Sequence, residues 1–195
     1  NLRLPINYQF YFGRNLQRGL RDLAPKWGQN ISISYFHLPF ENQINGSLFA
    51  FRSNFYSPGL FTNHSFSASF NYQKSEGAYE FNIEIPKTSG YDHIQQTAGL
   101  KNTLLLDYRF PLFYPDAELG PLAYVKRIRA GLFADFLNIG NEPGLKPLSY
   151  GVELSARMNI LRFYAPEFDL TTKMIFIQKQ INRVPIFELG LSYNF

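Results

Sequence analysis

The last nine residues of the chain, FELGLSYNF (187–195), indicate its fold most clearly. Apolar residues occupy every second position of this stretch, and the positions between them hold Glu, Gly, Ser and Asn. Successive side chains of a β-strand point to opposite faces of a sheet, so this alternation predicts a strand with one apolar and one polar face.

The same alternation recurs along most of the chain. It is found in segments 2–12, 31–35, 47–57, 66–72, 79–85, 104–110, 128–136, 150–160 and 168–176. Breaks rich in Gly, Pro, Asn and Asp separate these segments, and segment 15–29 is predicted to be a loop. The sequence therefore predicts about ten strands. Most of them would have roughly 9–13 residues, enough for a tilted strand to cross a bilayer.

Composition limits the class of protein. The 195 residues are enough for one domain, and 45% of them are hydrophobic and 17% aromatic. The mean hydropathy is nevertheless −0.21, and no apolar run approaches the length of a membrane helix. The net charge of +4 is small and scattered, so nucleic acid is not expected as a partner. The absence of cysteine excludes disulfides and thiolate metal sites.

The polar faces of the predicted strands carry charges of both signs. The acidic candidates are Glu80, Glu84, Asp107, Asp135, Glu153, Asp169 and Glu188, and the basic ones are Arg109, Arg127, Arg129, Arg157 and Lys173. A nearly balanced set of this kind suits a barrel lumen in which the charges pair, while the Phe, Tyr and Leu of the other face suit lipid. We therefore predict an all-β, antiparallel transmembrane β-barrel. The alternative is a soluble sandwich, which also alternates but exposes its polar face to water.

The end of the chain resembles the C-terminal recognition signal of bacterial outer-membrane barrels. The matching residues are Glu188, Gly190, Tyr193 and Phe195. The resemblance implies location in the outer membrane of a Gram-negative bacterium and recognition by its barrel assembly machinery. It also implies contact with outer-membrane lipid and lipopolysaccharide.

Segment 90–141 resembles the C-terminal barrel of the surface-antigen superfamily, which includes BamA, TamA and the two-partner secretion transporters. DYRFPL (107–112) is similar to one strand motif of that family, and GLFADFLNIGN (131–141), with Phe133 and Asp135, is similar to the next. The family barrel has sixteen strands, so residues 1–195 would be the C-terminal part of a longer chain. Segments 22–40 and 56–66 resemble Bacteroidota members with upstream periplasmic domains. The implied role is assembly or translocation of proteins at the outer membrane, or anchoring of a periplasmic module or protein partner.

The family also folds an extracellular loop back into the lumen, where an Arg at its tip reaches acidic residues on those two strands. TSGYD (88–92) stands at the position of that tip, and Gly90 and Tyr91 match it. Ser89 occupies the place of the Arg, which puts the translocation role in question. Asp107 and Asp135 resemble the acidic receivers, and lumenal arginines such as Arg109 could neutralise them.

Two other functions remain open at the level of sequence. The first is a small outer-membrane channel or porin with a charged lumen, and the second is a barrel enzyme. His37, His64 and His93 do not have the spacing of metal ligands. His64 lies, by alternation, on the opposite face from Ser65 and Ser67. The sequence therefore predicts no catalytic residues, no metal and no cofactor.

Overall fold

The structure is a computed structural model that describes residues 5–16, 19, 23–38, 45–77, 85–86, 88–90, 101–137, 148–160, 167–178 and 184–194. These residues form ten β-strands. They are β1 (Ile6–Asn15), β2 (Gly28–His37), β3 (Gly46–Pro58), β4 (Ser65–Gly77), β5 (Lys101–Phe113), β6 (Ala117–Leu119), β7 (Ala123–Leu137), β8 (Ser149–Ile160), β9 (Glu167–Ile177) and β10 (Ile186–Asn194). The described residues contain no helix long and apolar enough to cross a membrane.

The strands form one antiparallel sheet in the order β1-β2-β3-β4-β5-β7-β8-β9-β10, with β6 paired only to β7. Each long strand thus lies beside the next long strand along the chain, as in an up-and-down meander. The prediction of an all-β antiparallel fold is confirmed. The segment around Pro25 contains no strand before Gly28, as expected for a loop.

Nine of the ten strands are long, whereas β6 has 3 residues and was not expected from the sequence. The short β6 was not predicted, because Pro115, Gly120 and Pro121 interrupt the alternation around it. It forms a small hairpin with the start of β7, just after a register shift between Pro111 and Phe113. The strand predicted at 79–85 lies outside the described residues except for Ile85, which is not in a strand.

Between the two edge strands, the sheet has one buried face and one exposed face, and their polarity is inverted relative to a water-soluble domain. On β8, Val152 and Leu154 are 45% and 51% exposed, whereas Glu153 and Ser155 between them are 7% and 0% exposed. The buried face of the sheet carries Ser34, Asn71, Thr103, Asp135, Glu153 and Asp169, among others. The exposed face carries Tyr8, Phe10, Tyr35, Phe70, Leu132, Leu170, Leu189 and Leu191. Soluble proteins normally do the reverse.

The two edges of the sheet are open within the described residues. β1 pairs only with β2, and β10 pairs only with β9. Because the nine strands of this order alternate in direction, β1 and β10 run in the same direction. Closure into an all-antiparallel barrel therefore requires an odd number of additional strands between β10 and β1.

Candidate functional site

The buried face of β5, β7, β8 and β9 carries a network of ion pairs. Its strongest contact is a fork between Arg157 and Asp169, with Nε 3.0 Å from Oδ1 and Nη2 2.6 Å from Oδ2. These residues face each other across β8 and β9 in the register of the sheet. A two-bond fork of this type is the most specific arginine–carboxylate geometry, and it fixes both side chains.

Further charges extend this fork along the same face. Arg129 Nη2 lies 3.8 Å from Asp169 Oδ2, and Arg157 Nη1 lies 3.6 Å from Glu167 Oε2. Glu167 also accepts a hydrogen bond from Lys126 Nζ at 2.5 Å. Asp169 and Glu167 are therefore each shared by two basic side chains.

A second group of charges surrounds Glu153. Its carboxylate lies 3.9 Å from Arg109 Nε and 4.0 Å from Lys173 Nζ. Arg109 Nη2 in turn lies 3.7 Å from Asp107 Oδ1. Lys173 Nζ is also 5.6 Å from the centre of the Phe133 ring, close enough for a cation–π contact. The longer distances in this group are those of ion pairs rather than direct hydrogen bonds.

The tip of the β4–β5 connection is docked on the same face. The backbone N–H of Ser89 donates to Asp135 Oδ2 at 2.8 Å, and Ser149 Oγ lies 3.4 Å from the same oxygen. Asp135 is 4% exposed, and Thr88 is 1% exposed. Gly90 has φ +80°, and an added Cβ would lie 3.2 Å from Ile177 Cδ1. Glycine is thus favoured there both by backbone conformation and by the close approach of β9.

The structure brings some of the predicted site residues together and separates others. Ser89 meets Asp135, one of the two expected receivers, whereas Asp107 contacts Arg109 instead. Phe133 is buried beside Gly151, whose added Cβ would lie 2.9 Å from its ring. Tyr91 lies outside the described residues.

Three of the four residues of the C-terminal signal are described. Glu188 is the cross-strand partner of Lys173, so it lies on the buried face of β10. Tyr193 is 60% exposed on the other face. A Cβ added at Gly190 would have the backbone oxygen of Thr171, at 3.9 Å, as its nearest neighbour, so there is room for a side chain. Phe195 lies outside the described residues.

Sequence reasoning missed several residues of this site. Lys126 and Glu167 were not proposed as partners, because they are far apart in sequence and meet only through the β7–β8–β9 register. Ser149 and Gly151 were also missed. The only available signal for Gly151 was its position on the polar side of segment 150–160, and Ser149 lies just before that segment.

The two described histidines lie away from this network. His64 Nδ1 is 2.7 Å from the Tyr108 hydroxyl, and its ring stacks on Phe110 on the exposed face. His37 stacks with Tyr8 and Tyr35. His93 lies outside the described residues. Within the part of the chain that the structure describes, no three His, Cys, Asp or Glu residues are grouped so that they could hold a metal ion.

The chain matches no protein-family model, no curated protein and no solved structure. The inverted sheet, its ion-pair network and the docked loop tip are therefore the features from which its function is inferred.

Proposed function

We propose that the chain is part of a transmembrane β-barrel of the bacterial outer membrane and that it is not an enzyme. The inverted burial of the sheet carries this proposal. Side chains such as Leu154 and Leu189 are 51% and 75% exposed, which is unfavourable in water and favourable in lipid. A soluble sandwich would cover this apolar face with a second sheet, and the described residues form only one layer.

The open edges fit a larger barrel. In lipid the unpaired N–H and C=O groups of β1 and β10 need partners, because no water is present to bond them. A second copy with the same membrane orientation offers only edges that run parallel to β1 and β10, so it cannot complete an antiparallel sheet. We therefore favour further strands from the same polypeptide.

The connections indicate an orientation in the membrane. At one end of the sheet they span 12, 6, 9 and 6 residues (16–27, 59–64, 114–122 and 161–166). At the other end they span 8, 23, 11 and 8 residues (38–45, 78–100, 138–148 and 178–185). Outer-membrane barrels have short periplasmic turns and longer extracellular loops. We assign the first end, where β10 finishes, to the periplasm.

Within this class we favour a role in protein assembly or translocation at the outer membrane, or in anchoring a periplasmic module there. The supporting observation is the loop tip on Asp135. Ser89, within the connection between β4 and β5, reaches β7, where its backbone N–H contacts a residue of the motif that resembles the surface-antigen superfamily. Here the Ser89 amide meets the carboxylate that the family pairs with an Arg.

Replacing Asp135 with Ala is expected to release this loop tip. The substitution removes a charged acceptor from the Ser89 amide, a loss of about 1.5–3 kcal/mol. Protease added to intact cells should then cut within 78–100 at least about tenfold faster, because the loop opens more often. Asp107→Ala is the matched control, since Asp107 lies on the same face and contacts Arg109. Equal cleavage of the two variants would show that the contact between Ser89 and Asp135 does not hold the loop tip in place.

The functional test is depletion of the full-length protein in its host, followed by measurement of folded outer-membrane proteins. An assembly role predicts that their folded fraction falls and that Asp135→Ala fails to restore it. The second candidate function is a channel, favoured by the charged residues on the buried face. Unchanged outer-membrane proteins together with a steady conductance of the purified protein in planar bilayers would favour the channel and reject the assembly role.

A further inference from the structure

A small cavity lies at the periplasmic end of the sheet, between the β1–β2 connection and the β3–β4 turn. Its volume is ≈ 250 Å³, and its lining includes Leu23, Lys26, Pro58, Phe61, Asn63 and His64. Leu23 is buried beneath it, whereas Lys26 is exposed at its side. The cavity thus combines an apolar base with a lysine and a histidine. It is separate from the ion-pair network on the buried face.

His64, which lines this cavity, is held by a contact with the Tyr108 hydroxyl. The Tyr108 oxygen accepts the Leu60 N–H at 3.2 Å and lies 2.7 Å from His64 Nδ1. A tyrosine hydroxyl has one proton to donate. When Tyr108 donates it to Nδ1, its oxygen takes part in two hydrogen bonds, as the acceptor from Leu60 and as the donor to His64. We assign the imidazole proton to Nε2 on this basis, so the His64 ring keeps one N–H donor.

The turn itself adds backbone donors. It is closed by hydrogen bonds from Gly59 N to His64 O and from His64 N to Phe61 O, both 3.1 Å. Asn63 has φ 64°, in the left-handed region. The amide groups of Thr62 and Asn63 form no hydrogen bond with the rest of the described chain. Successive free amides in a turn of this type form an anion-binding concavity.

The surroundings of the cavity are apolar and exposed. Leu60 and Phe61 are 83% and 71% exposed, and Trp27 is 51% exposed with its ring packed edge-on against Phe55. His64 stacks on Phe110 of the lipid-facing side of β5. Aromatic residues at a strand end, beside a lysine, are typical of the membrane–water interface. A ligand here would have a charged group in the cavity and apolar chains beside it.

We propose that this cavity binds the phosphate of a phospholipid headgroup at the periplasmic leaflet. Lys26 supplies the charge, His64 and the turn amides supply hydrogen bonds, and the aromatic residues contact the acyl chains. The proposal rests on the membrane location proposed above.

The test is a titration of the full-length protein in non-ionic, phosphate-free detergent with dihexanoyl phosphatidylglycerol, followed by native mass spectrometry. We expect saturable binding that Lys26→Gln and His64→Phe each weaken about tenfold, the loss of one charge-assisted contact. His64→Phe keeps the aromatic stack, and Lys26→Gln changes only an exposed side chain. Lys74→Gln is the control, because Lys74 is exposed near the opposite end of the sheet.

Two further ligands identify the source of the phosphate. Dihexanoylglycerol lacks the phosphate and should bind more weakly, and inorganic phosphate lacks the chains and should also bind more weakly. Equal binding of inorganic phosphate, or wild-type affinity in the Lys26→Gln variant, would overturn the proposal. Insertion into lipid vesicles is measured in parallel, so failure of the membrane location is distinguished from failure of this site.

Discussion

Gly151→Ala is expected to prevent stable folding of the sheet, with a loss of about 3 kcal/mol or more. A Cβ at position 151 would lie 2.0 Å from the backbone oxygen of Met174 and 2.9 Å from the Phe133 ring. The first contact cannot be relieved by a side-chain rotation, because the oxygen belongs to the ladder between β8 and β9. The two strands would have to separate at this point.

Gly131→Ala is the matched control for this prediction. Gly131 lies on the same buried face, in the neighbouring strand, but an added Cβ there would have no neighbour closer than 3.4 Å. Urea unfolding of the full-length protein in detergent, followed by the mobility shift of the folded form on electrophoresis, compares the two variants. Similar stability of the two would show that the close approach of β8 and β9 at Gly151 is incorrect.

The second large effect is expected from Asp169→Ala, at about 3–5 kcal/mol. Among the described residues, the substitution leaves Arg157 with the longer contact to Glu167 and removes the carboxylate that pairs with Arg129. Uncompensated guanidinium groups on a buried face are costly, because they lose hydration without gaining a partner. Arg157→Met should therefore cost less in the Asp169→Ala background than in the wild type.

The exposed pair between Lys74 and Glu76 provides the comparison. Their side chains are 52% and 61% exposed, and water and salt screen an exposed ion pair so strongly that it contributes little to stability. Glu76→Gln should change the midpoint of urea unfolding very little. If Asp169→Ala is as mild as Glu76→Gln, the ion-pair network of the buried face does not stabilise the barrel wall.

The strands and their two faces could be predicted from the sequence because both depend on local alternation. The run from Tyr150 to Ser155 shows this well, since its even positions are exposed and apolar whereas its odd positions, Gly151, Glu153 and Ser155, are buried. The terminal strand behaves in the same way, with Leu189 and Leu191 exposed. A three-residue strand such as β6 is too short to produce a detectable period.

The partners within the candidate site could not be predicted, because they depend on the register between strands. The pairing of Arg157 with Asp169 follows from a register that alternation alone does not fix. The resemblance to the surface-antigen superfamily implied a loop tip near Asp107 and Asp135, but it could not indicate that a backbone amide would be the donor or that only Asp135 would be contacted by Ser89. Gly151 gave no signal beyond its position on the polar side of a predicted strand.

The proposal that the apolar face of the sheet contacts lipid is tested most directly by finding which medium faces that side. Single cysteines at 152–157 of β8, in a chain segment that has none of its own, can carry nitroxide labels on the full-length protein in lipid vesicles. If the exposed side of β8 faces lipid, positions 152, 154 and 156 have high oxygen accessibility and low accessibility to a water-soluble nickel complex. Positions 153, 155 and 157 then have low oxygen accessibility. Protection of 152, 154 and 156 from both reagents, or their exposure to the nickel complex, would contradict a lipid-facing sheet.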